Sequence, residues 1–134
     1  MIHFKIPLPP ISKKNSQRIM VKSGSGKPFI MPSEQYKQYE NDAMWFIPKW
    51  RRIDFAVNVK CLFYMPTRRK CDLTNLLEAI DDIMVKAGLL ADDDYTIIES
   101  HDGSRVFYDK DNPRTEVFIE AARRDPAVTN LPLP

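Results

Sequence analysis

Seven apolar residues, Leu73, Leu76, Leu77, Ile80, Ile83, Met84 and Ala87, fall at offsets of 0, 3, 4, 7, 10, 11 and 14 along the chain. Only an α-helix brings that spacing onto one stripe. Asp72 stands where an N-cap belongs and Gly88 where a left-handed C′ residue belongs, which sets the helix at about 73–87. A helix with one apolar face has to bury it against another layer. A second clear pattern stands before it in the chain. From Asp54 to Tyr64, Phe55, Val57, Val59, Cys61 and Phe63 alternate with Ala56, Asn58, Lys60, Leu62 and Tyr64. That is the period-two pattern of a central strand.

The other elements follow the same rules. His3–Leu8 reads as a first strand, held to a sheet edge by Pro7 and stopped by Pro9 and Pro10. Ile19–Val21 and Phe29–Met31 are expected to pair as a basic hairpin across the Gly-Ser turn. Ser33 caps a first helix over about 34–47, with Tyr36, Tyr39, Ala43, Met44, Phe46 and Ile47 on its apolar face and Pro48 at its end. Phe46 and Trp50 are expected in the core or in a dimer contact. Tyr95–Ser100 reads as a strand, Arg105–Tyr108 as its continuation or partner, and Thr115–Ala121 as the last strand. Residues 123–134 read as a loosely ordered tail. The expectation is one α+β domain over 1–134, with a small mixed sheet and two main helices.

A chain of 134 residues suits a single domain. No apolar run approaches the roughly 18 residues that a membrane-spanning helix needs, so no membrane partner is expected. Met1–Pro10 reads as the start of the fold and not as a signal peptide. Cys61 and Cys71 make neither a disulfide framework nor a zinc site, and a cytoplasmic location with both reduced is expected. The net charge of +2 hides an asymmetry, +10 over residues 1–70 and −8 over residues 71–134. Such a split fits a polyanion held by the basic half and cations held by the acidic half, or two halves whose signs interleave on the surface of one globule.

The two signs meet at one place. Arg68, Arg69 and Lys70 directly precede Asp72. The polar face of the second helix carries Thr74, Asn75, Glu78, Asp81 and Asp82, and Asp92, Asp93 and Asp94 follow that helix. Carboxylates without His or Cys suit hard cations such as Mg²⁺. Beside a phosphodiester such a cation neutralises the non-bridging oxygens and lowers the pKa of a bound water. A helix of this length spans about 22 Å, so Asp72 and the acidic turn lie at its opposite ends. They meet only if Leu89–Ala91 leads the chain back, or if a second subunit supplies the partner. His101 and Asp102 are sequence neighbours and would point to opposite faces of a strand, which argues against a Ser-His-Asp relay. His101 is read as a surface residue and Asp102-Gly103 as a turn or bulge.

Asp72-Leu-Thr-Asn75-Leu, the Ala87-Gly88 helix end and Asp92-Asp93 resemble, in order and spacing, the signature of the RusA family of Holliday-junction resolvases. That signature is Asp-x-Asp-Asn-Leu at a helix start, an Ala-Gly helix end and a pair of aspartates. The basic run before Asp72 fits it, as do Pro9, Pro10, Ser12 and Asn15, and the likeness spans about residues 3–121. The resemblance implies a small homodimeric endonuclease, often encoded by a phage or prophage. Such a protein binds four-way DNA junctions in recombination and repair and cuts them symmetrically with Mg²⁺ or Mn²⁺, without a small-molecule cofactor. Position by position it implies catalytic, metal-holding roles for Asp72 and Asp93.

The family's second aspartate falls on Thr74, and its lysine falls on Glu78. These two are four apart on one helix face, so Glu78 is expected to replace the lost carboxylate as a third catalytic ligand, with Thr74 offering a neutral oxygen to the metal. Asn75 is expected to orient Asp72. Lys13, Lys14, Arg18, Arg68, Arg69 and Lys70 are expected at DNA phosphates. A two-fold dimer fits the approximate two-fold symmetry of a junction and would let ligands come from both subunits. Two other readings stay open. One is a non-catalytic junction binder that lost its full acid set at Thr74 and Glu78. The other is a protein–protein adaptor that uses the aromatic first helix.

Overall fold

In chain order the elements are β1 (Ile2–Ile6), β2 (Gln17–Val21), β3 (Pro28–Pro32), α1 (Glu34–Met44), β4 (Val57–Met65), α2 (Leu73–Lys86), β5 (Ile98–Ser100), β6 (Arg105–Tyr108) and β7 (Arg114–Ala121). They come from a computed structural model that describes residues 2–13, 17–21, 26 and 28–122. Lys14, Asn15 and the expected tail over 123–134 lie outside the described residues.

β4 organises the molecule. Val57, Val59, Cys61 and Phe63 are buried while the residues between them stay half-exposed, so the alternation in the sequence becomes the two faces of a sheet. β7 pairs antiparallel with β4 on one side, and β1 pairs antiparallel with β7. On the other side β5 and then β6 run parallel to β4, as two pieces of one interrupted edge strand. The sheet is therefore mixed and α+β, as the sequence pattern predicts. Phe4, Ile6, Val117 and Ile119 join the buried face of β4, and Tyr36, Tyr39 and Ala43 of α1 and Leu76, Ile80, Ile83 and Met84 of α2 close the core. β2 and β3 form a separate antiparallel hairpin with Ile19 opposite Ile30. Among the described residues no helix is long and apolar enough to cross a membrane.

Four boundaries differ from the sequence pattern, and each has a local cause. β4 starts at Val57, not Asp54, because Ile53 is diverted to the end of α2. Its N–H donates to Leu89 O at 2.8 Å, and Ala91 N–H donates to Ile53 O at 2.9 Å. Phe55 is thereby left outside the ladder and exposed. α1 ends at Met44, and the chain tightens through i→i−3 bonds from Trp45, Phe46 and Ile47 to Asp42, Ala43 and Met44. Pro48 disfavours helical geometry at the residue before it. The tighter turn keeps Ile47 buried but swings Phe46 outward, and Trp50 is exposed as well, so neither belongs to the core. β5 begins only at Ile98, because Asp94 O accepts from both Ile97 and Ile98 N–H and holds the preceding residues in a turn. β1 ends at Ile6, with Leu8 N–H turning back to Ile6 O.

The break between β5 and β6 is closely stitched to β4. Asn58 Oδ1 accepts from Ser100 Oγ at 2.6 Å and from Asp102 N–H at 2.8 Å, and Ser104 Oγ accepts from Cys61 N–H at 3.0 Å. Gly103 turns this corner at φ +88°, and a Cβ there would sit 2.7 Å from Lys60 Cδ. Gly103→Ala is expected to lower stability by about 1–3 kcal/mol, from the left-handed backbone and the crowding together. A fall in the urea midpoint at unchanged slope would show it, and an unchanged midpoint would refute it.

Candidate active site

α2 presents its N-terminus beside the end of β4. Asp72 is the N-cap residue in an extended conformation, but its side chain makes no capping bond. The carboxylate instead accepts from Asn75 Nδ2 at 3.2 Å and is otherwise exposed. An N-cap carboxylate that does not cap keeps its lone pairs for another partner. The free backbone N–H groups of the first helical turn make the same place favourable for a phosphate.

The basic triplet surrounds this terminus. Arg69 and Lys70 line a cleft of about 400 Å³ together with Ser12, Gln35, Met65 and Cys71. Arg68 lies over the Tyr108 ring at 4.2 Å, which fixes the guanidinium next to the exposed edge strand β6. Lys13 follows the buried Ser12 at the cleft wall. Arg18 belongs to β2, and its side chain, like all of Lys14, is outside what the structure describes.

Thr74 and Glu78 are both exposed on α2. Helical geometry sets them about 40° apart, and it turns Glu78 about 120° away from Asp72. The acidic turn lies at the other end. Asp92 Oδ1 accepts from Asp93 N–H at 2.7 Å, and Asp94 accepts from the Thr96 N–H and hydroxyl. Those Thr96 bonds hold Asp94 below the usual carboxylate range. Partial desolvation, the Asp92 side chain and the Asp82 charge push Asp93 up. Asp93 thus senses Asp81 and Asp82, which follow Asp72 by nine and ten residues, about 14 Å along the helix axis. Among the described residues no three His, Cys, Asp or Glu side chains converge on one point as a metal site. Asp72, Glu78 and Asp93 offer the oxygen donors that suit a hard cation, but not as a converging triplet among the described residues.

Comparison with known proteins decides the lineage. The family described as "Endodeoxyribonuclease RusA" matches residues 7–120. The chain is also 31% identical over 105 residues to the "Crossover junction endodeoxyribonuclease RusA" of Aquifex aeolicus (strain VF5), covering 76% of each protein. The chain belongs to the RusA family of endodeoxyribonucleases.

Within this RusA-family chain the structure adds a polar pair that the sequence reading placed wrongly. Asp81 is not on the solvent face of α2 but only 8% exposed. Its Oδ2 lies 2.8 Å from His101 Nε2, and His101 Nδ1 lies 2.8 Å from Val59 O. A carbonyl only accepts, so Nδ1 carries a hydrogen, and one further proton must lie between Nε2 and Asp81. Burial pushes the Asp81 carboxyl up, an effect that His101 partly offsets. Burial alone would lower His101, but the hydrogen bond and charge of Asp81 outweigh it and raise the imidazole. His101 is therefore a half-buried strut between α2 and β4, not a surface residue. A sequence signal existed: Asp81 sits four residues after Leu77 and three before Met84, on the flank of the apolar stripe. A carboxylate there needs a buried partner.

Proposed function

We propose that this chain is a homodimeric, divalent-metal-dependent endonuclease that cuts four-way DNA junctions. The observation that carries the reading is Asp72. It is a helix-start carboxylate held by Asn75 and making no capping bond, and it follows Arg69 and Lys70, which line an open cleft. Asp72 of one protomer and Asp93 of its partner would hold the cation, because α2 keeps the two apart within a chain. When bound, the cation supplies charge neutralisation at the phosphate and a more acidic water. Mg²⁺ suits an all-oxygen donor set, and Mn²⁺ is the natural substitute. Glu78 and Thr74, exposed on α2 but turned away from Asp72, are the candidates for a third ligand. Arg69, Lys70 and the helix N-terminus hold the phosphate in place, while Arg68, Lys13, Lys14 and Arg18 extend the basic track along the DNA. No membrane or small-molecule cofactor enters the scheme, and the location is taken as cytoplasmic.

The test is a labelled four-way junction against a matched linear duplex, with Mg²⁺, Mn²⁺ or chelator, using wild type and Asp72→Asn. Paired, metal-dependent nicks on the junction are expected. Asp72→Asn is expected to cut at least about a thousandfold more slowly, since several kcal/mol of charge stabilisation go with the ligand. Junction binding without nicks in any cation would instead identify a binder, and no binding at all would remove the reading.

A further inference from the structure

Between α1 and β4 the chain exposes four large aromatic side chains in eleven residues. Trp45 is 86% exposed, Trp50 55%, Phe55 46% and Phe46 41%. Such a cluster is uncommon on a soluble surface and marks a binding face. Lys49, Arg51 and Arg52 interleave with the rings, all three exposed, against a single acid, Asp54. None of the three cations makes an ion pair with another described residue. The segment is nevertheless anchored, because Ile47 and Ile53 are buried beneath it. The backbone bonds from Ile53 to Leu89 and from Ala91 to Ile53 seat it directly beside the residue that precedes Asp92-Asp93. The aromatic and cationic face therefore borders the acidic turn of the candidate active site.

Charge selects the occupant. A second copy meeting this segment about a two-fold axis would set three cations against the same three. A nucleic acid strand instead satisfies both halves of the composition, with phosphates for the cations and ring faces for the indoles. A fully paired duplex offers phosphates only, whereas the branch point of a junction also offers bases that can leave their stack. Resting on the junction reading above, we propose that Trp45 and Trp50 stack unstacked bases at the branch point. Lys49, Arg51 and Arg52 hold the flanking phosphates, so that residues 45–55 select branched over linear DNA.

The chain has two tryptophans, and both lie in this segment, so selectively excited tryptophan emission reports on it alone. The experiment titrates wild type with a four-way junction, a matched linear duplex and a short oligo-dT strand, and reads emission and affinity. It repeats this for Trp45→Ala/Trp50→Ala, Trp45→Phe/Trp50→Phe and Lys49→Gln/Arg51→Gln/Arg52→Gln. Junction and oligo-dT are expected to quench emission, and the duplex to quench it less. The double alanine variant is expected to bind junction and oligo-dT at least about tenfold more weakly, with duplex affinity unchanged and with the phenylalanine variant largely restored. The charge variant is expected to reduce the salt slope on oligo-dT by about 2.

Circular dichroism melts check that these surface variants fold. Junction binding with unchanged emission, and with affinity untouched by the alanine variant, would overturn the platform and leave the junction reading standing. Quenching by oligo-dT without junction binding would keep the platform and overturn that reading. Binding to neither DNA would overturn both. Wild type sedimenting as a dimer and the alanine variant as a monomer would show that a second copy covers the face, which also overturns the platform.

Discussion

Mixed dimers of Asp72→Asn and Asp93→Asn protomers are expected to recover junction cleavage that neither variant shows alone. The argument is geometric. Asp93 couples electrostatically to Asp81 and Asp82, which lie about 14 Å along α2 from Asp72, and no acidic triplet converges among the described residues. If each site joins Asp72 of one protomer to Asp93 of its partner, a mixed dimer has one site with both carboxylates lost and one site intact. Equal mixing makes half of the dimers mixed, so about a quarter of the wild-type sites return. The products should be single nicks, because the second site of each mixed dimer is dead. If each site were built within one protomer, both sites of the mixed dimer would be broken, and the mixture would stay at the level of the separate variants. The measurement is initial nicking rate after co-refolding differently tagged protomers and isolating the doubly tagged species. An inactive isolated species would reject the shared site without touching the assignment of Asp72.

What the sequence made legible was local periodicity. α2 and β4 carry one-face patterns long enough to fix their type and buried face, and the structure follows both. The continuation of β5 into β6 through the turn at Gly103, and the β2–β3 pairing, also agree with the sequence pattern. The misplacements arose where a tertiary bond overrides a local pattern. Phe55 continues the alternation of β4 perfectly, but the pairing of Ile53 with Leu89 and Ala91 bends the chain before that alternation can be used. Phe46 continues the helical stripe of α1, but the turn before Pro48 tightens and reverses its direction. Asp81 looks like one more charge on a polar face until His101, twenty residues later, arrives from the break in the edge strand. Asp72 and its Asn75 partner were legible because both sit within one helical turn. Whether Asp93 joins them was not, because it lies beyond the helix, outside the reach of any local pattern.

His101→Ala is expected to destabilise the protein by about 3–5 kcal/mol at pH 7, more than any surface substitution near the site. Removing the imidazole leaves Asp81 8% exposed and without its partner, and Asp81 Oδ1 is already buried without a hydrogen bond among the described residues. The charges that face the pair are few. Asp93 raises Asp81 further, and the buried Cys61 thiol, itself pushed up by burial, borders it from β4.

The pH dependence has a definite sign. Both members bind protons more tightly in the folded state than their unfolded references of about 6.5 for His and 3.9 for Asp. The His101 contribution is complete below about 6.5 and is lost as pH rises through its raised folded value. The Asp81 carboxyl acts in the same direction, favouring the fold below about 3.9 and losing that contribution as pH rises through its own raised value. Wild type should therefore lose stability from pH 6 to pH 9. The cost of His101→Ala should shrink toward pH 4.5, where the orphaned Asp81 can take up a proton, and shrink again at high pH, where the imidazole no longer carries the charge. Urea unfolding of both proteins from pH 4.5 to 9 measures this. A destabilisation of constant size across the range would mean that His101 acts by packing alone, and that the proton between α2 and β4 contributes nothing to holding the acidic half of the site in place.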